Sequence, residues 1–188
     1  MTRLSPDERR RALLDAGQAV FAARPFEAVS MAELARAAGV SKGLVYHYFD
    51  DKQGFYDAVL ARVATEVLTD VQLDPALPVG DAATHALRHF LAYARDNGPF
   101  YRALVRGAGG HGRDTPTVVE RVRRAFVSMV REHPGGSAVS STLAYGWVGM
   151  VEFAVLEQLD RAADDARDAD LCGRLAAVLT HLCSEEVP

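Results

Sequence analysis

The stretch Met31-Ala-Glu-Leu-Ala-Arg-Ala-Ala-Gly-Val-Ser-Lys-Gly-Leu-Val-Tyr-His-Tyr-Phe-Asp50 decides the fold. It describes two short helices that must cross closely, with three or four residues between them. Ala35 supplies a small side chain at the crossing, and Gly39 a turn position where positive φ is cheap. Leu34, Ala38, Val40 and Val45 fill the space between the helices. This is a helix-turn-helix pattern over residues 31–50. Both helices carry start signals: Ser30 and Glu33 form a capping box, and Ser41 is a favourable N-cap. The second of the pair presents polar, basic and aromatic residues, so it is the one expected in a DNA major groove.

Working outward, the spacing predicts a preceding helix over about 6–23. Pro6, Asp7 and Glu8 suit its start, Leu13, Leu14, Ala16, Val20 and Phe21 form its inner face, and Arg24-Pro25 ends it. After the motif, Asp50-Asp51 opens a long helix with Phe55, Val59, Val63 and Val67 along one side. Beyond Pro75 and Pro78 the pattern predicts longer helices at about 80–96, 99–106, 115–132, 137–161 and 165–184. They are broken at Asn97-Gly-Pro99, Gly107-Ala-Gly-Gly-His-Gly112 and Pro134-Gly-Gly136. No stretch joins strict alternation to β-branched enrichment, so the fold class is all-α.

The 188 residues, 49% hydrophobic and 24% charged, are enough for a sizeable core and have the balance of a globular chain. No run of eighteen apolar residues occurs, and the amino end is charged where a signal peptide is greasy, so a cytoplasmic protein without membrane contact is expected. Cys172 and Cys183 lack metal-ligand spacing and read as reduced core thiols. The net charge of −4 is unevenly spread. Residues 1–62 hold nine Lys+Arg against eight Asp+Glu, and the remainder twelve against seventeen. A polyanion therefore meets the first third, where the two lysines, Lys42 and Lys52, also lie. Arg9, Arg10 and Arg11 read equally as a solvated face or as an arm near phosphates.

Val29-Ser-Met-x-Glu-Leu-Ala-x-x-Ala-Gly-Val-Ser-Lys-Gly-Leu-Val-Tyr-His-Tyr-Phe-x-x-Lys52 resembles the DNA-binding domain of TetR-type bacterial repressors, over about residues 6–66. The resemblance implies a helix-turn-helix DNA-binding domain over 6–66 and a larger helical domain over 67–188 for effector binding and dimerisation. It also implies DNA contacts from Ser30, Lys42, Gly43, Leu44, Tyr46, His47 and Lys52. Local chemistry agrees: lysine, phenol and imidazole all donate to phosphate or base edges, and glycine lets the backbone approach. Tyr48 and Phe49 share the inner face with Val45 and read as core.

In the larger part the last two helices are apolar on more than one side. Leu143, Trp147, Met150 and Ala154 make one stripe of the first; Val148, Val151, Val155 and Leu159 make another. The final helix carries Leu171, Leu175, Val178 and Leu182 beside Cys172, Ala176, Leu179 and Cys183. One stripe of each can face a second subunit, with Gly146 and Gly149 allowing close approach; Val148, Val151, Val155, Leu159, Leu175 and Leu179 are the expected dimer face. The resemblance implies a homodimer matching a palindromic double-stranded operator by shared two-fold symmetry. It implies also a small-molecule effector that releases the repressor. Phe90, Tyr93, Phe100, Tyr101, Phe126, Trp147 and Met150 are the candidate lining of its cavity. Glu152, alone amid apolar neighbours, reads either as a partner for a cationic effector or, the favoured reading, as facing water at the dimer edge.

Two signals favour a different class, a small helical enzyme or metal-binding protein. Gly107–Gly112 satisfies G-x-G-x-x-G, but no strand precedes it, so it reads as a loop. His85 and His89 have the spacing of zinc ligands, but Ala86 stands where a metalloprotease keeps its glutamate. No catalytic residue, metal or cofactor is assigned.

Overall fold

A computed structural model describes residues 5–106 and 115–184. Every element in them is helical: α1 (Pro6–Ala23), α2 (Met31–Ala37), α3 (Lys42–Tyr48), α4 (Lys52–Asp70), α5 (Val79–Asp96), α6 (Gly98–Arg106), α7 (Thr115–Glu132), α8 (Ser141–Leu159) and α9 (Asp165–Ser184). Single 3₁₀ turns follow α1 at Phe26–Ala28 and α7 at Pro134–Gly136. The loop expected at Gly107–Gly112 lies outside the described residues. The chain divides into two compact units, Met1–Ala64 with Pro99–Val119 and Thr65–Gly98 with Glu120–Pro188.

In the first unit, α2 packs between α1 and α3. Leu13, Leu14, Phe21, Leu34, Ala35, Val45, Phe49, Phe55 and Val59 bury together as its core. α1 begins on a capping box the sequence had not suggested, in which Ser5 Oγ accepts from Glu8 N at 3.2 Å and Glu8 Oε2 from Ser5 N at 2.8 Å. A buried glycine, Gly17, lets the ring of Phe55 come close against α1: a Cβ there would sit 2.8 Å from Phe55 Cζ.

The second unit is organised by α5 and α9, which lie along each other. Ala82, Ala83, Ala86 and Ala94 keep the α5 face low, and at Gly80 a Cβ would come within 2.6 Å of Thr180 Oγ1. Polar ties pin the helices where burial alone would let them slide. Arg95 grips Asp168 through two bonds of 2.9 and 2.8 Å, and Gln158 Nε2 donates to the same carboxylate at 2.7 Å. The guanidinium holds the Asp168 carboxyl below its usual range. Trp147 Nε1 donates to Leu175 O at 2.8 Å. His133 is buried; its Nδ1 accepts from Gly135 N at 3.1 Å, and its Nε2 faces Asp74 O at 3.1 Å.

Several expectations are corrected. α8 starts at Ser141 instead of residue 137, because Pro134-Gly-Gly136 forms the 3₁₀ turn and Ser140 Oγ then caps Leu143 N at 3.3 Å. α4, by contrast, starts at Lys52 as its Asp50-Asp51 start signal implies, with Asp51 Oδ1 accepting from Gly54 N at 2.7 Å. Glu152 does not face water: only 8% exposed, it takes two 2.9 Å bonds from Arg123 of α7.

The largest correction concerns the expected dimer face. Val148, Val151, Val155, Leu159, Leu175 and Leu179 are all buried inside this one chain. α8 needs more than half its circumference to meet its own neighbours, so that stripe is already covered. The apolar side chains left outside are Leu143, Met150 and Phe153 on α8 and Val178 on α9. Phe153 is 74% exposed. At Gly146, Gly149 and Gly173 a Cβ would meet nothing within 4 Å.

Candidate nucleic-acid interface

The interface is built from the caps upward. Ser30 Oγ accepts from Glu33 N at 3.3 Å while Glu33 Oε2 accepts from Ser30 N at 2.9 Å, so the first turn of α2 is held from both ends. Arg24, at the end of α1, donates to Glu33 and to Ala28 O. Arg24 and Ser30 together lower the Glu33 carboxyl to about 2. Residues 38–41 then reverse the chain. Gly39 stands at φ +66, the one positive φ among the described residues, and Val40 N reaches back to Ala35 O at 2.9 Å. Ser41 Oγ accepts from Leu44 N at 3.2 Å and starts α3.

α3 has one face in and one face out. Val45 is completely buried and Phe49 nearly so, while Tyr48 is half-buried. Lys42, Gly43, Tyr46 and His47 are exposed, with Tyr46 at 45%. Lys42 Nζ lies 5.6 Å from the Tyr46 ring centroid, which gathers a cation and a phenol at one spot. A Cβ at Gly43 would come no closer than 4.0 Å to anything, so the backbone there is bare. Such an edge can donate to phosphate and to base edges at once.

Of the seven residues expected to touch DNA, Ser30, Lys42, Gly43, Tyr46 and His47 stand exposed, whereas Leu44 and Lys52 are half-buried. Lys52 is also occupied: its Nζ donates to Phe26 O at 2.9 Å and sits 4.3 Å over the Phe26 ring. Sequence reasoning missed this tie and the role of Arg24. A basic residue at a helix C-terminus is the one signal that pointed to the latter. Arg10 lies 5.4 Å from the Phe49 ring, at the side of the same unit.

The residues of the expected effector lining are divided between the two units. Phe90, Tyr93 and Phe126 pack together against Val67, Val71 and Ala86. Phe100 and Tyr101 are buried in the first unit, Trp147 is turned to Leu175, and Met150 is exposed. The seven side chains come from four helices, α5 to α8. His85 and His89 are exposed on α5, and among the described residues no group of three potential metal ligands forms. No helix among them is long and apolar enough to cross a membrane.

Two short N-capped helices joined by a tight turn, the second with an exposed polar edge, define the helix-turn-helix class of DNA-binding regulators. Residues 13–59 match the family described as bacterial regulatory proteins, tetR family. Those residues span the helix-turn-helix, so the first third of the chain carries a tetR-family DNA-binding domain. The chain is 43% identical over 70 residues to the HTH-type transcriptional activator FasR of Mycolicibacterium smegmatis, covering 37% of this chain and 32% of that one. To the HTH-type transcriptional regulator BetI of Cronobacter sakazakii it is 37% identical over 78 residues, 42% of this chain and 38% of the relative. The chain thus matches about a third of the length of these curated relatives. Among solved structures, a tetR-family regulator from Streptomyces coelicolor aligns with TM-score 0.80 and 26% identity, over 95% of this chain and 82% of that one. A TetR-like regulator from Rhodococcus sp. RHA1 aligns with TM-score 0.75 and 24% identity, over 97% and 100%. The second likeness speaks to the fold alone.

Proposed function

We propose that this chain is a dimeric, sequence-specific DNA-binding regulator, a repressor that leaves a palindromic operator when a small molecule binds. The observation that carries the reading is the outer edge of α3, where Lys42, Gly43, Tyr46 and His47 are exposed together on a helix anchored by fully buried Val45. Residues 6–66 are assigned to DNA, with Ser30 and Lys42 toward phosphates or a guanine edge and Tyr46 and His47 one turn later. Leu44 and Lys52 remain at the margin of the contact, since Lys52 keeps a donor beyond its bond to Phe26 O. Residues 67–188 are assigned to dimerisation and effector binding, with the Phe90, Tyr93 and Phe126 rings as the aromatic wall available for a mainly apolar effector. The dimer face is the outer arc of α8 and α9 around Phe153.

The test is retardation of DNA from the region beside the chain's own gene. Binding weakens with rising salt as phosphate contacts release counterions. Lys42→Ala weakens it about tenfold, at the low end of the ~1–3 kcal/mol of a base contact, with helical content unchanged. An unchanged affinity removes Lys42 from the interface. Deletion of the gene raises transcription from that promoter if the chain represses. A fall assigns it the sign that FasR's name carries.

A further inference from the structure

An open-mouthed cavity of about 550 Å³ lies in the first unit, and none of its lining residues belongs to α3. Its apolar wall is aromatic: the rings of Phe21 and Phe26 are stacked at 6.1 Å, and Tyr56 stands edge-on to Phe21 at 4.7 Å and tilted against Phe26 at 5.1 Å. Its charged lining is cationic. Arg24, from the end of α1, and Arg102, one turn into α6 beside Ala103, both border the space. No acidic side chain lines it.

We propose that this cavity binds an aromatic monoanion, an aryl carboxylate or sulfonate, with its ring against Phe26 and Phe21 and its anionic group between Arg24 and Arg102. The volume falls in the range of small-molecule sites, roughly 300–1,000 Å³. A flat ring gains from offset contact with the half-buried Phe26, which the buried Phe21 and Tyr56 hold in place, and the guanidinium fork matches a carboxylate or sulfonate through paired N–H bonds. Arg24 gives the site a consequence beyond itself. The guanidinium that would meet the anion is the one now donating to Glu33, which caps α2, and to Ala28 O. An anion in the cavity competes with Glu33 for that donor and alters how α1 is tied to the start of the helix-turn-helix. The binding itself does not depend on the DNA-binding reading.

The experiment uses the full chain and 1-naphthoate, followed by amide NMR, with neutral 1-naphthamide as control. Saturable shifts are expected at residues 22–26 and 102–103, extending to Ser30 and Glu33, with the amide binding at least tenfold more weakly. Arg102→Gln, which leaves the Arg24–Glu33 pair intact, weakens naphthoate about tenfold, and Ala103→Trp, which fills the cavity, abolishes it. The proposal is overturned if shifts are absent or map elsewhere, such as the α8–α9 face. It is overturned equally if naphthamide matches naphthoate, or if Arg102→Gln binds as the parent does. Should Ala103→Trp fail to fold, the amide control and Arg102→Gln still decide.

Discussion

A methyl group at position 17 has nowhere to go. Phe55, which a Cβ there would strike, is held by the Phe21 ring at 6.4 Å and the Phe49 ring at 4.4 Å and is itself buried. Helix propensity alone favours alanine over glycine by roughly 0.5–1 kcal/mol, yet overpacking a filled core costs about 1–3 kcal/mol. Gly17→Ala therefore destabilises the chain by about 1–2 kcal/mol in denaturant unfolding, opposite in sign to the propensity rule. Glu33 makes a prediction in pH. Its carboxyl is lowered from 4.5 to about 2 by Arg24 first and Ser30 second, so the charged form is favoured in the folded state. A depressed carboxyl stabilises above its unfolded value and loses that contribution as pH falls through its folded one. Glu33→Gln thus lowers the melting temperature most at pH 7, and the gap to the parent closes between about pH 4.5 and pH 2. A gap of constant size would show that the charge is not what ties α1 to α2. Neither residue could be read fully from the sequence. Gly17 follows the helical period, but which ring lies across it is a fact of α4. Glu33 announced its cap, whereas Arg24 lies nine positions away with nothing periodic to join them.

At the scale of elements, legibility follows the range of the forces that set each boundary. α2 and α3 were legible almost to the residue because their limits are local: Ser30 and Ser41 cap the next turn, and Gly39 takes the one conformation that side chains resist. α8 was not, because a Pro-Gly-Gly turn needs tertiary support to become 3₁₀ instead of breaking outright. At Gly136 a Cβ would lie 3.0 Å from Val130 C, and its surroundings are closed by the buried His133. The turn between α2 and α3 therefore tests the local account. A non-glycine residue in the left-handed region costs roughly 1–2 kcal/mol. Nothing lies within 4 Å of a Cβ at Gly39, so steric crowding adds nothing to that figure. Gly39→Ala should lower unfolding stability by about 1–2 kcal/mol, and Gly39→Asn by less, because asparagine tolerates this conformation. Equal losses for the two would place the cause outside the backbone. The candidate site shares this split. The exposure of Lys42, Tyr46 and His47 follows from the period of α3 about Val45. The engagement of Lys52 with Phe26 O depends on a 3₁₀ turn that no pattern announced.

For the whole molecule the decisive ambiguity was rotational. α8 is apolar nearly all round, and hydrophobicity cannot say which arc turns inward when two stripes are equally greasy. The answer lies in polar residues with distant partners. Arg123 draws Glu152 inside and Asp168 takes the amide of Gln158, and these bonds fix the rotation that buries Val148, Val151 and Val155. Phe153 is then forced outward, near Met150 and on the same helix as Leu143, with Val178 exposed on α9. Exposed apolar side chains beside open glycines are what a two-fold interface needs, since a self-complementary patch must accept its own copy at close range. The two arcs give opposite outcomes on substitution. Phe153→Asp touches little within its own chain, so helical content and melting should stay close to the parent while the species sedimenting at equilibrium becomes the single chain. Val155→Asp places an unpaired charge in a site 2% exposed and should unfold the second unit instead. DNA binding adds a third reading of the same variant. If the operator is palindromic, as proposed, a single chain holds only one half-site, so Phe153→Asp should retain salt-sensitive binding to DNA while its operator affinity falls at least tenfold. A Phe153→Asp chain that still sediments as a dimer would return the interface to another surface.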